Sequence, residues 1–567
     1  LKTLFLTFLV LNFGLTCYGQ NFHLTMNGNS SAESSTIDSL KYVAKHQNLK
    51  SIQEEIKLMS EKLSKIGYIN NRAADYMQIS DSSYSARLSL GKKIKSTRIY
   101  IGANNSIKEL FNSEKNDTIT LPYQETDFFL NQTLKKLEES GFALATLRLV
   151  NLKTINNVLY ADLKTDLNQQ RKLNSIVVRY ADSDGANKFP KGHLVQINRK
   201  YKNSNFNQNI VNEIYKDFGN FEFVNQVKYP EILFTKDSTK VYVYLEKRKS
   251  NVFDGFVGFS NNDNNKVVLN GYLDVKLENI LGSGEQFSVF WKSDGNDQKT
   301  FNAHIEVPYL LKTSLGLKAQ IQFFRQDSTF QNTKTAIDLS YFKNYNTRFY
   351  LGYQATESSD IQNINNASVA DFNNSFITSR FEYTKLEAAN SLFPVKSKIL
   401  ISTALGRRKT NILTEDSTNK QFIANIEAMH NFNLNKKNSI HLNSRNYYLK
   451  SNRYLTNEFY RFGGFNSIRG FTENSLYAYF LTSVMTEYRF LITSDLYLHS
   501  IVDYSIYKDD VNIAASNITK TALGIGLGLG LQTKNGLFKL AVANGSSKNQ
   551  AINFHSTVIH ISYNIKF

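Results

Sequence analysis

The stretch Arg461–Phe471, RFGGFNSIRGF, sets one arginine between Ile468 and Gly470, shortly after the glycine pair Gly463–Gly464. A guanidinium is permanently charged and presents a planar fork of donors. Its chemistry is recognition of an anion, not proton transfer. Taken alone, an arginine in such a loop reads as a solvated charge. No other constellation offers covalent chemistry. The nine histidines are scattered, with no His-Glu-x-x-His spacing. Neither a Gly-x-Ser-x-Gly elbow nor a phosphate-binding loop occurs. The expectation is a protein that is not an enzyme and needs no metal or cofactor.

The arginine lies in a gap of about thirty residues between two strand-like segments, and gaps of that length in compact domains are usually functional or disordered. The composition suits strands: 13% aromatic residues and only five prolines in 567 residues. The net charge is +18. The lysines are scattered among asparagines rather than gathered in a block, so a lysine-rich surface is expected and a nucleic-acid partner is not. At the N-terminus, Lys2 precedes the apolar run LFLTFLVLNFGL and then TCYGQ. This pattern predicts a signal peptide over 1–19, cleaved after Gly19. Cys17 follows Gly14–Leu15–Thr16, which fits a lipidation signal poorly, and the only cysteine would leave with the leader.

The first half repeats at a spacing of about 75 residues. Three amphipathic segments, ending at Tyr68, Phe142 and Phe221, are each closed by a glycine: Gly67, Gly141 and Gly219. In the first, Ile52, Ile56, Met59, Leu63 and Ile66 recur at helical spacing. A strand-like run precedes each helix and two follow it, predicting three α+β units over 20–95, 96–170 and 171–250, each with a small three-stranded sheet under helices. An open edge of such a sheet can accept an extended peptide by strand addition.

From Val252 onward the helical period disappears. In TALGIGLGLGLQT, Leu523, Ile525, Leu527, Leu529 and Leu531 share one face, and Gly524, Gly526, Gly528 and Gly530 the other, leaving room on the inner side. The segment STVIHISYNIKF alternates in the same way, with Ile559, Ile561, Tyr563, Ile565 and Phe567 on one face. The segments are about ten residues or longer, the span of a tilted membrane strand. Apolar-out, polar-in alternation also accommodates a mean hydropathy of −0.37. Sixteen strand candidates fall within 251–567, predicting an antiparallel membrane β-barrel.

The segment GGFNSIRGF, with the strand-like TEYRFLI at Glu487 and SIVDYSIY at Asp503 after it, resembles the BamA/TamA superfamily of outer-membrane protein assembly and translocation factors. That resemblance implies POTRA repeats in the periplasm before a sixteen-stranded barrel in the bacterial outer membrane, with a layout nearest TamA. It implies a sixth extracellular loop, carrying Gly463, Gly464, Ile468, Arg469, Gly470 and Phe471, that folds back into the lumen. Arg469 would pair there with Asp503, or with Glu487 as second candidate. Tyr563, Ile565 and Phe567 would form a C-terminal β-signal. The implied function is insertion or translocation of client outer-membrane proteins, through strand addition at the POTRA units and a lateral seam between first and last strands. The implied partners are unfolded clients, outer-membrane lipid and accessory proteins of the periplasm or inner membrane. A dedicated secretion transporter passing one partner through the lumen is the alternative, and a passive porin a third reading.

Overall fold

The computed structural model describes residues 21–102, 117–180, 189–261, 267–294, 298–365, 368–387, 390, 392–412, 415–511, 518–534, 536–547, 552 and 557–566. The expected leader at 1–19, with Cys17, lies outside the described residues, as does Phe567. The chain divides into two compact units, Leu1–Lys172 with Ser204–Asn209, and Leu173–Asn203 with Ile210–Phe567.

Unit one holds two α+β modules. In the first, helices α1 (Ser31–Ser39) and α2 (Leu49–Lys65) accompany a sheet built on the parallel pair Phe22–Gly28 and Ser83–Ser89. Asn48 starts α2 by accepting the Ser51 backbone N–H at 2.8 Å. Its Ile52, Ile56, Met59 and Leu63 then bury one stripe against Leu24, Met26 and Leu88. The second module carries α3 (Thr126–Glu139) and a sheet in the order Thr118–Pro122, Ser96–Tyr100, Val158–Asp166, Thr146–Ile155. Gly67 and Gly141, with φ of +111° and +96°, end α2 and α3 in left-handed turns, in which Tyr68 and Phe142 donate back to Leu63 and Leu137.

Two expectations are corrected. The sheets are wider than three strands, because short segments such as Arg72–Ala73 and Thr118–Pro122 add at their edges. Gly219 is not a left-handed cap. It is the last residue of α5 (Gln208–Gly219), which follows α4 (Lys191–Tyr201). The chain leaves α5 in a right-handed turn, Asn220 N–H to Asp217 O and Phe221 N–H to Phe218 O, which keeps both phenylalanines in the core. In this third module Thr239–Lys247 pairs with Leu173–Tyr180 on one side and with Val224–Gln226 and Glu231–Phe234 on the other. Pro230, which has no N–H for the ladder, stands between Val224–Gln226 and Glu231–Phe234.

Sixteen antiparallel strands close into a barrel. They are β1 (Val252–Asn261), β2 (Val267–Glu278), β3 (Gln286–Asp294), β4 (Gln298–Val307), β5 (Leu315–Gln326), β6 (Phe330–Asn344), β7 (Thr347–Asp360), β8 (Phe372–Leu386), β9 (Val395–Ile412), β10 (Glu415–Asn433), β11 (Asn438–Lys450), β12 (Phe480–Leu491), β13 (Leu496–Lys508), β14 (Lys520–Gln532), β15 (Gly536–Ser547) and β16 (Val558–Lys566). Among the described residues no helix is long and apolar enough to cross a membrane. The barrel strands are suited to it. Leu339, Leu351, Tyr353, Ile377, Leu405, Leu527 and Ile559 are exposed on the outer face. Glu306, Asp338, Arg489 and Asp503 are buried on the inner one. In water such an apolar outer wall would be a liability, whereas in lipid it is the stable arrangement.

The third module is fastened to the turns that join even strands to odd ones. Gln196 of α4 donates to the Lys312 carbonyl at 2.6 Å and accepts from Ser314 Oγ at 3.1 Å. Lys276 bridges Glu222 and Glu278, both at 3.1 Å. Between these, His193 is buried beside Tyr309, Phe221 and Tyr345, with ring centroids at 4.7, 5.2 and 5.6 Å. Its Nε2 lies where a Cβ on Gly284 would fall 2.0 Å away, and neither ring nitrogen makes a well-aligned hydrogen bond. Burial, with the Arg348 guanidinium nearby, pushes its pKa down from the ordinary 6.5 to about 3. An undocked, solvated His193 therefore binds more protons than the docked one between those values. Docking loses stability as pH falls from about 6.5 toward 3, by on the order of 3 kcal/mol at pH 4. Amide exchange across Lys191–Tyr201, expressed relative to the intrinsic rate at each pH, should rise as pH is lowered from 7 to 4. It should rise less in His193→Phe, which isolates this residue from Asp217 and Glu222. Equal pH sensitivity in the two proteins would refute the assignment.

Candidate functional site: a loop crossing the barrel lumen

The connection between β11 and β12 leaves the end of the barrel opposite the third module. It is not structureless. Tyr460–Phe462 and Leu476–Ala478 pair as a short antiparallel ladder, and between them the chain turns back on itself. Gly463 and Gly464 have φ of +100° and +102°, and a Cβ on Gly464 would sit 2.0 Å from a Glu473 carboxylate oxygen. Gly464 donates to the Ile468 carbonyl at 3.1 Å and accepts from the Ser467 N–H at 3.1 Å, which presents Arg469 at the tip. Ile468, Phe471 and Phe462 pack with Leu481, Met485, Tyr507 and Ala522 of the inner wall.

Arg469 Nε and Nη2 donate to the two oxygens of Asp503 on β13 at 2.7 and 2.6 Å, and the Arg469 backbone N–H adds a third bond at 3.0 Å. Nη1 pairs with Glu487 on β12. The other oxygen of Glu487 meets Arg489 at 2.6 Å, and Arg489 stacks over the Phe393 ring at 4.3 Å. Two guanidinium groups thus face two carboxylates. Asp503 has no exposed side-chain surface. Bidentate geometry and three donors on one carboxylate are what a buried pair requires to offset its desolvation.

The barrel wall is bare where the tip rests. A Cβ on Gly524 of β14 would lie 2.1 Å from the Arg469 carbonyl oxygen, and one on Gly545 of β15 would lie 2.5 Å from that of Gly470. Gly470 itself has φ of +87°, with the Asn544 backbone 2.4 Å from where its Cβ would be. The glycine face of β14 thus makes room for different occupants: Arg469 at Gly524, His499 at Gly528 and Tyr497 at Gly530.

A second anchor escaped the sequence reading. At the base of the loop Glu458 pairs with Arg408 of β9, and its other oxygen accepts from Gln421 of β10 at 2.8 Å. Arg408 also donates to the Arg453 carbonyl at 3.0 Å. The two charged side chains are 0% and 4% exposed. Beside them Asn457 donates to Ser358 Oγ on β7 at 2.7 Å and accepts from Asn332 on β6 at 2.6 Å. Arg461 lies over the rings of Phe324, Phe330 and Tyr477. The base is therefore held by β5–β10 and the tip by β12–β16, where Phe465 meets His560 with ring centroids 5.5 Å apart, so the loop crosses the lumen from wall to wall. The one available signal was the inward parity of Arg408 with the buried Ala404 and Thr410.

The remaining candidate residues lie elsewhere, at the closure seam. There, among the described residues, β1 and β16 pair only at Val252↔Lys566 and Phe253↔Ile565. By contrast β9 and β10 pair from Ser397↔His430 to Ile412↔Glu415. Ile565 also pairs with Gly536 of β15, and the Tyr563 hydroxyl is 3.0 Å from Thr533 Oγ1. Among the described residues no cluster of His, Cys, Asp or Glu could hold a metal ion.

Removing the arginine would leave Asp503 without its charge partner while Glu487 keeps Arg489, a loss of about 3–5 kcal/mol of tip docking. In a Cys17→Ser background, a cysteine probe introduced by Ser467→Cys, at a buried tip position, should label at least about tenfold faster with Arg469→Ala than without it. Gly524→Ala should give the same increase with no change of charge, because the new methyl occupies the place of the Arg469 carbonyl. Unchanged labelling in both would show the tip is not held as described.

No protein-family model matches the chain, and no curated protein matches it. Among solved structures the chain is similar to BamA from Haemophilus ducreyi lacking POTRA domains 1–3, at 14% identity and TM-score 0.47 over 81% of this chain and 96% of that one. It is similar to CdiB from Acinetobacter baumannii at 15% identity and TM-score 0.49, over 84% and 90%. It is also similar to CdiB from Escherichia coli at 12% identity and TM-score 0.49, over 91% and 98%. The fold itself rests on this chain's own strand pairing: three α+β modules followed by a closed barrel of sixteen antiparallel strands.

Proposed function

We propose that the chain is an outer-membrane assembly factor of the BamA/TamA superfamily, which inserts client β-barrel proteins by offering them the edge of its own seam. The observation that carries this reading is the brevity of the β1–β16 pairing. Among the described residues no pairing joins Asp254–Asn261 to Val558–Asn564 across the seam, while both strands remain laddered to their inner neighbours. An unpaired edge is a template for a further strand, and its main-chain bonds are indifferent to the client's side chains. The α+β modules, on this reading in the periplasm, supply further edges for clients on their way to the seam.

The lumen-crossing loop supports lateral insertion over transit of a secreted partner through the lumen. Two buried ion pairs and the apolar packing of Ile468 and Phe471 would have to be broken to clear that route. The loop instead buttresses β12–β15, the wall next to the seam.

The direct test is tethering. A disulfide between cysteines introduced by Phe253→Cys and Ile565→Cys would hold the seam shut. Cells relying on that variant should lose outer-membrane barrel proteins broadly and recover them on reduction. Normal outer-membrane assembly with the tether formed would overturn the reading. Loss of a single secreted protein, with the rest of the proteome intact, would replace it with the dedicated transporter.

A further inference from the structure

A cavity of about 400 Å³ opens beneath α4, between the third module and the turn-side ends of β6, β7 and β8. Two of its lining residues, Thr347 and Tyr383, pair with each other and share strand parity with the outward-facing Phe349 and Phe381. The cavity therefore opens toward the membrane leaflet at this end of the barrel. Lys343 stands at a bulge in the β6–β7 ladder, and Arg199 reaches the same cavity from α4. Neither has a carboxylate partner among the described residues. Lys200 is there too, already paired with Asp217 at 2.9 Å. At the inner end is His193, buried and with neither ring nitrogen in a well-aligned hydrogen bond.

We infer that this cavity binds the headgroup of an anionic phospholipid. Two cations without carboxylate partners converge on a half-enclosed space at leaflet depth, which suits a phosphate group. The tyrosine hydroxyl of Tyr383 supplies a further donor at the level where such rings sit in membranes. The wall above is continuous with the acyl region: Leu339, Tyr341, Leu351 and Phe349 are exposed there. Close by, Leu311 at the tip of the β4–β5 turn is 96% exposed, an arrangement that places an apolar side chain into the same leaflet. A free phosphate ion would use the cations and leave the apolar wall idle, so the observations favour the lipid. The bound lipid would hold the third module against the barrel. The inference rests on the barrel spanning a membrane and not on what the seam does.

The test uses the full chain in nanodiscs doped with a photoactivatable phosphatidylglycerol or phosphatidylcholine, with adducts mapped by mass spectrometry. The phosphatidylglycerol probe should label the segments around Gln196–Lys200 and Lys343–Thr347 several-fold more than the phosphatidylcholine probe. The double variant Arg199→Gln/Lys343→Gln should lower that labelling to the phosphatidylcholine level, while Lys236→Gln, on another turn of the third module, leaves it unchanged. Both altered residues are exposed, and heat-modifiable gel mobility verifies that the barrel is intact. Excess inorganic phosphate should not compete. Equal labelling by the two probes, an unaffected double variant, or displacement by free phosphate would each overturn the proposal. A chain that does not enter nanodiscs at all would remove the membrane reading along with it.

Discussion

The bidentate pair between Arg469 and Asp503 is the constraint around which the barrel interior is arranged. A guanidinium held away from bulk water is tolerable only if its donors are met, and here Asp503, Glu487 and the Thr486 carbonyl meet them. The requirement spreads outward. Glu487 is shared with Arg489, which keeps local charge balanced. Gly524 and Gly545 must be bare so that the tip can approach the wall. Ile468 and Phe471 flank the charge with apolar packing that excludes solvent from it.

The second ion pair changes what the loop is. Tip docking alone would make it a flap tethered at one end. With Glu458 held by Arg408 and Asn457 held by Asn332 and Ser358, it becomes a strap joining opposite walls of a cylinder. Such a strap stiffens the walls it touches. Its Phe465 ring also reaches His560 of β16, 5.5 Å between centroids, and among the described residues the β1–β16 seam is the least paired part of the sheet. On the proposed reading, a barrel braced across its lumen and weakly closed along one line opens along that line.

Much of this was legible in advance, and the reason is local. Strand alternation is a period-two pattern carried by each segment on its own. The alternating segments TALGIGLGLGLQT and STVIHISYNIKF accordingly overlap β14 and β16. Helical stripes are equally local, so α2, α3 and α5 fell where periodicity placed them. Gly219 misled because a glycine after an amphipathic run signals a helix end without stating its handedness.

By itself the sequence determined the sixteen alternating strands, the α+β modules before them and the presence of a glycine-flanked arginine in the long gap. Each of these is set by near neighbours in the chain. The family resemblance pointed Arg469 to Asp503 or Glu487, but only the tertiary structure decided that both carboxylates reach it at once, that Gly524 faces its carbonyl, and that Arg408 meets Glu458 fifty residues away. It also decided how little of β1 and β16 would pair. The physical reason is that alternation specifies inside from outside but not the angular position around the barrel. That position, and with it every contact across the lumen, exists only once the cylinder has closed.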